Sequence, residues 1–240
     1  MNLLQEIEQT YNFQYPKLYH QLYEDGMLNW GYTHKTRGRW YEFVYPKLKG
    51  NPPLLLEGRM DFEICEISEI PDEIDYLHGT ESFYEIKPEY LFIPFGTNGA
   101  GDYYCFFYNK ENPSTEPWVV LFAHDDNTAE ILTDNFQNFI FYGLLECVLY
   151  MDKLLADNDA FYTEITNMLR THRPYLSEEQ AKIIEDIYKR KTFASTYTYT
   201  FNGREHTEKC IGLLSREEFK TLCNKFIQYP KEREFQYDND

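Results

Sequence analysis

The chain has few basic residues, no long apolar run and no paired cysteines. Lys and Arg number 23 in 240 residues against 40 Asp and Glu, a formal net charge of -17. A nucleic-acid binder needs basic surface to displace counterions, so this balance argues against that class. No stretch reaches the roughly 18 apolar residues of a membrane-span candidate. The start, Met1-Asn2-Leu3-Leu4-Gln5-Glu6, has neither the basic nor the apolar region of a secretory signal. The five Cys (65, 105, 147, 210 and 223) are odd in number, scattered and without a C-x-x-C pair. They read as reduced, mostly buried thiols of a cytoplasmic protein.

Aromatic residues are plentiful, with 22 Tyr and 18 Phe. Each can bury a large area, so a sizeable core is available and disorder is not expected. The acidity is uneven. Residues 1–150 hold 9 basic and 24 acidic residues, and 151–240 hold 14 and 16. From Glu57 to Glu89 there are 11 acidic residues against Arg59 and Lys87. Such a field can steer a basic protein partner, although acidity also serves plain solubility.

The spacing of apolar residues predicts helices over 2–10, over "YPKLYHQLYEDGML" (15–28) and near 134–155, 159–171, 177–191 and 215–227. Ser177-Glu178-Glu179-Gln180 is a capping box. Strands are expected in "YLFIPFG", "DYYCFFYN" and "PWVVLFAHD", with less regular extended chain over 29–50 and around Met60, Phe62 and Ile64. "ASTYTYTF-NG-REHTEKCIG" is a hairpin signal, Asn202-Gly203 supplying a two-residue turn. The charged tail from Pro230 is expected to fray.

"IPFGTNGAGDYYCFFY" (93–108) poses a choice between a phosphate loop and a turn. Phosphate loops need a helix after the glycines, because backbone N–H groups at its start converge on the anion. Here a strand follows, there is no Gly-Lys-Ser/Thr, and the field is acidic. The turn is preferred, with Asn98-Gly99 suited to positive φ and Asp102 to bonding nearby N–H groups. His124-Asp125-Asp126 could hint at a metal or acid–base site, but no further His has ligand-like spacing, and a turn after a strand accounts for it. His206 and Cys210, four apart on an expected strand, would lie about 13 Å apart, too far to share zinc. No catalytic, cofactor or metal residues are therefore assigned.

The same hairpin, with "PWVVLFAHDD", "LTDNFQNFI" and the early "YPKLYHQLYEDGML", resembles the SUKH superfamily of Smi/Knr-type proteins over roughly residues 1–150. The resemblance implies an α+β domain with a mainly antiparallel sheet flanked by helices. Residues 151–240 would form an extension of helices and a β-hairpin packed on it. The resemblance further implies a non-enzymatic binding module. Many bacterial members are immunity proteins that neutralise a toxin domain, often a nuclease, and fungal members are regulators. A basic toxin domain is thus the expected partner, a regulatory or scaffold role the alternative. The candidate partner surface comprises Trp30 and Trp40 as aromatic anchors with Glu57, Asp61, Glu63, Glu66, Glu69, Asp72, Glu73 and Asp75.

Overall fold

The computed structural model describes residues 2–31, 37–56, 61–80, 82–150, 159–201 and 203–238. Two helices open the chain. Helix α1 (Leu3–Tyr11) starts in a capping box formed by Asn2 and Gln5, and α2 (Lys17–Glu24) follows Pro16. Gly26 then takes φ +73°, the left-handed geometry that glycine adopts without a Cβ clash. Residues expected to be irregular strand instead form two short helices, α3 (Trp40–Phe43) and α4 (Tyr45–Leu48). Pro46 sits in the first turn of α4, where no backbone donor is lost.

A six-stranded sheet follows in the order β1-β2-β3-β4-β5-β8, every pairing antiparallel. Its strands are β1 (Glu63–Ile64), β2 (Tyr90–Thr97), β3 (Tyr103–Asn109), β4 (Trp118–Phe122), β5 (Thr128–Thr133) and β8 (Glu234–Gln236). Helix α5 (Ile70–His78) lies between β1 and β2, and α6 (Phe136–Glu146) follows β5. Of the strand expected at 60–64, only Glu63–Ile64 forms, and Met60 lies outside the described residues.

Side chains alternate between the two faces of the sheet. Ile93, Phe95, Tyr104 and Phe106 join a core with Tyr19 of α2 and Phe136 and Phe139 of α6. Phe92, Cys105, Phe107 and Phe122 face the other way, onto Leu77 of α5 and Tyr237. The fold is α+β, as expected.

The C-terminal elements are α7 (Asp159–His172), α8 (Glu178–Tyr188), the hairpin β6 (Phe193–Phe201) and β7 (Arg204–Gly212), and α9 (Arg216–Phe226). They share the first core, to which Phe161, Met168, Ile184, Leu213 and Cys223 belong. Asn138 of α6 is a buried junction. Its amide donates to Asp134 Oδ1 at 2.7 Å and to Phe226 O at 2.8 Å, and its Oδ1 accepts from Gln180 Nε2 at 2.7 Å. The tail from Pro230 does not fray throughout. Strand β8 adds to the edge of β5, and Tyr237 is buried with its ring stacked 4.3 Å from that of Phe122. The edge of β5 that β8 covers supplies hydrogen bonds that no local sequence signal reveals.

Candidate functional site: an acidic end of the sheet

The glycine-rich segment is a hairpin connection between β2 and β3. Asn98 organises it. Its Oδ1 accepts from the N–H of Ala100 at 3.0 Å and of Asp102 at 2.8 Å. Its own N–H donates to Asp102 O at 3.0 Å. The expected positive φ at Asn98-Gly99 is not where the strain falls. Gly101 carries it, at +99°, because the Asn98 side chain already closes the first part of the loop. Asp102 bonds an N–H as expected, that of His124 at 3.1 Å, which ties this loop to the one after β4.

Further contacts bring α5 to the same end. Tyr103 donates its hydroxyl to Glu73 Oε2 at 2.8 Å. Tyr84 donates to His124 O at 3.1 Å and sets its ring edge-on to Tyr76, 5.9 Å away. Gly99 N–H donates to Asp61 Oδ1 at 2.9 Å. Glu63, Glu69 and Glu73 gather around Cys65; burial first, then those three carboxylates, pushes its thiol far above the usual range. Burial and the adjoining Tyr76, then Asp102 and Asp125, push Tyr84 up to about 12. A half-buried thiol held un-ionised in this way is no nucleophile.

The acids expected at a partner surface thus separate into groups. Asp61, Glu63, Asp72 and Asp75 are exposed, and Glu66, Glu69 and Glu73 are half-buried. Asp75 also accepts from the Tyr11 hydroxyl at 2.9 Å. Glu57 lies outside the described residues. Among the described residues, none of the other seven carboxylates forms an ion pair with Lys, Arg or His. Among the described residues, no cation offsets the charge of this band by a direct ion pair.

Trp30 and Trp40 are not on this surface. They are 6% and 5% exposed, and their indoles stack 6.2 Å apart. Trp30 Nε1 donates to Leu54 O and Trp40 Nε1 to Trp30 O, at 3.0 and 2.8 Å. Their packing demand outweighs the anchoring role that aromatics can play at an interface. Tyr76, on α5 among the acids, is 50% exposed, and Phe83, in the segment after that helix, is 90% exposed. Helical spacing could have found Tyr76, since Ile70, Ile74 and Leu77 take the inward face of α5. Nothing in the sequence singled out Phe83.

Asp102, His124 and Asp125 are close enough to share an ion, their ligand atoms lying within 4.8 Å of one another. Asp102 Oδ1, however, already accepts from both His124 N–H and His124 Nδ1, the latter at 2.9 Å. Burial would raise the Asp102 carboxyl, but hydrogen bonds from His124 and Asn98 outweigh it and hold the group low. The same bond raises His124. The pair acts as a clasp between two loops. His206 and Cys210 both lie on β7, facing Tyr199 and Ser195 of β6, and they form no close cluster of metal-ligating groups among the described residues.

A sequence model of the SMI1 / KNR4 family (SUKH-1) matches residues 2–141. The chain belongs to this family. The matched region runs from α1 into α6 and contains the whole acidic band, whereas α7, α8, α9 and the β6–β7 hairpin lie beyond it. The family is generally one of immunity proteins and regulators rather than enzymes. No curated protein and no solved structure matches the chain. Among the described residues, no helix is long and apolar enough to cross a membrane.

Proposed function

We propose that this family member is a non-enzymatic immunity protein that binds a basic toxin domain, a nuclease being the kind that fits, and blocks it. The observation that carries this reading is the acidic band from Asp61 to Asp75, free of ion pairs among the described residues, beside the Asp102–His124 clasp. A nuclease presents a basic, phosphate-binding cleft. An acidic face approaches such a cleft quickly, and exposed aromatics between the acids supply contact area. Tyr76 and Phe83 take the anchoring role first given to the two tryptophans.

The test is capture of partners by the tagged full chain from its native cells at low and moderate salt, with the captured proteins identified by mass spectrometry. One stoichiometric basic partner, toxic alone and harmless beside this chain, supports the reading. The double substitution Glu69→Gln/Asp72→Asn then lowers the association rate and flattens its salt dependence. Several weak partners without toxicity favour the regulatory alternative, and an association rate indifferent to the acids removes the steering role.

A further inference from the structure

Strand β6 is nine residues long, Phe-Ala-Ser-Thr-Tyr-Thr-Tyr-Thr-Phe, with no charge, proline or glycine. It belongs to a two-stranded sheet, so among the described residues nothing pairs with its outer edge. Natural sheets guard such edges with charges, prolines, bulges or covering elements, because unpaired N–H and C=O groups template further strands. The opposite edge, β7, is guarded by Arg204, Glu205, His206, Glu208 and Lys209. Edge β6 has no such guard in its own sequence, although Arg216 and Lys220 of α9 lie over the ring of Tyr197.

We propose that β6 is a self-association edge, through which two copies of this chain pair antiparallel and join their hairpins into one four-stranded sheet. The register supports a symmetric pairing. Phe201 faces Arg204 across the two-residue turn, and in such a hairpin the closing pair exchanges its hydrogen bonds. Every second residue then bonds inward, so Ala194, Thr196, Thr198 and Thr200 direct their backbone groups outward. The side chains of Thr198 and Thr207 approach to 3.2 Å, as expected of a non-hydrogen-bonded pair.

A two-fold axis at Tyr197 places Tyr197 opposite its own copy, Thr196 opposite Thr198, Ser195 opposite Tyr199 and Phe193 opposite Phe201. Aromatic and threonine pairs across strands are stabilising, and the strand itself brings no like charges together. The interface is isologous and closes on itself.

Charge selects a second copy as the occupant. Each chain carries -17, which repels copies over the acidic region 1–150. The segment 151–240 is near balance, with 14 basic and 16 acidic residues, and β6 itself is neutral. Contact through this strand brings together uncharged residues of the near-balanced segment.

Sedimentation velocity of the full chain from micromolar to near-millimolar concentration tests the proposal. A concentration-dependent dimer is expected. Thr196→Lys/Thr198→Lys, both exposed, sets lysines directly opposite each other across the axis and raises the dissociation constant by roughly tenfold or more. Ala194→Lys/Thr200→Lys does the same at the strand ends. In the unmodified chain, the amides of Thr196 and Thr198 gain hydrogen-exchange protection as concentration rises. A single monomeric species at every concentration overturns the proposal, as does a dimer indifferent to both variants or exchange that does not change with concentration.

Discussion

His172 provides the sharpest test of how the C-terminal helices are held to the family region. It is fully buried at the end of α7. Its Nε2 accepts from Leu55 N–H at 2.9 Å, so Nδ1 must carry the proton, and it reaches Met168 O at 2.7 Å. Leu55 itself holds φ +52°, which a non-glycine residue adopts only under constraint. The imidazole is neutral in the fold. Burial pushes its pKa from 6.5 down to about 4, against the raising effect of the Met168 carbonyl.

In the unfolded chain His172 takes up a proton below 6.5, while the folded chain refuses it until about 4. Its contribution is therefore fully present above 6.5, shrinks as pH falls through that value and is gone by about 4. The interval corresponds to about 3 kcal/mol, a large part of an ordinary domain's stability. His172→Gln keeps an acceptor for Leu55 and a donor for Met168 but does not titrate. Urea unfolding of both proteins from neutral pH to about 4 isolates the effect, since every other titrating group cancels in the difference. The gap between them should move in favour of the variant by about 3 kcal/mol as pH falls. A gap that stays constant would refute the assignment of a buried, neutral imidazole.

Other perturbations follow from the same packing. Burial raises Glu146 from 4.5 to about 7, so its ionisation opposes folding as pH rises through that interval; Glu146→Gln should unfold at higher denaturant than the parent at pH 8, with the difference closing toward 4.5. Gly96→Ala drives a methyl to 2.3 Å from Phe62 Cε2 and 3.0 Å from Glu63 O, where β1 meets β2, and should cost about 3 kcal/mol in chemical unfolding. Tyr237→Ala empties the space stacked on Phe122 and removes the 2.8 Å hydrogen bond to Asp126 O; a loss of about 3–5 kcal/mol is expected, whereas a frayed tail would show almost none.

The elements legible in the sequence are those whose causes are local. Ser177 and Gln180 cap α8 reciprocally, as their spacing predicts. The hairpin around Gly203, at φ +71°, needs only a two-residue turn and alternating Tyr and Thr. The short apolar, aromatic runs of β2 and β3, bounded by Gly and Asn, likewise announced strands, but not which residue takes which face, because both are buried on both sides. Glu234–Gln236 could not be read this way, because three residues amid charges become a strand only beside the open edge of β5. Trp30 and Trp40 were equally opaque. Their neighbours in sequence are polar, and their burial depends on Leu54 and Phe62 arriving from elsewhere. The acidity of 57–89 was plain in composition, but its meeting with the loops after β2 and β4 rests on Tyr103, Tyr84 and Asp61.

That convergence bears on why the acids are tolerated. Placing like charges on one short helix and the loops beside it works against the fold through mutual repulsion. Asp61, Glu73 and Asp75 each recover part of this by accepting a hydrogen bond from Gly99, Tyr103 or Tyr11. Each such bond occupies one lone pair and leaves the carboxylate charged. A fold selected for solubility alone could interleave lysines here, as at the end of α8, where Lys189 pairs with Glu185. Holding the acids in place by neutral donors keeps the field intact and fixes its shape, the combination a surface needs if it is to meet a basic partner.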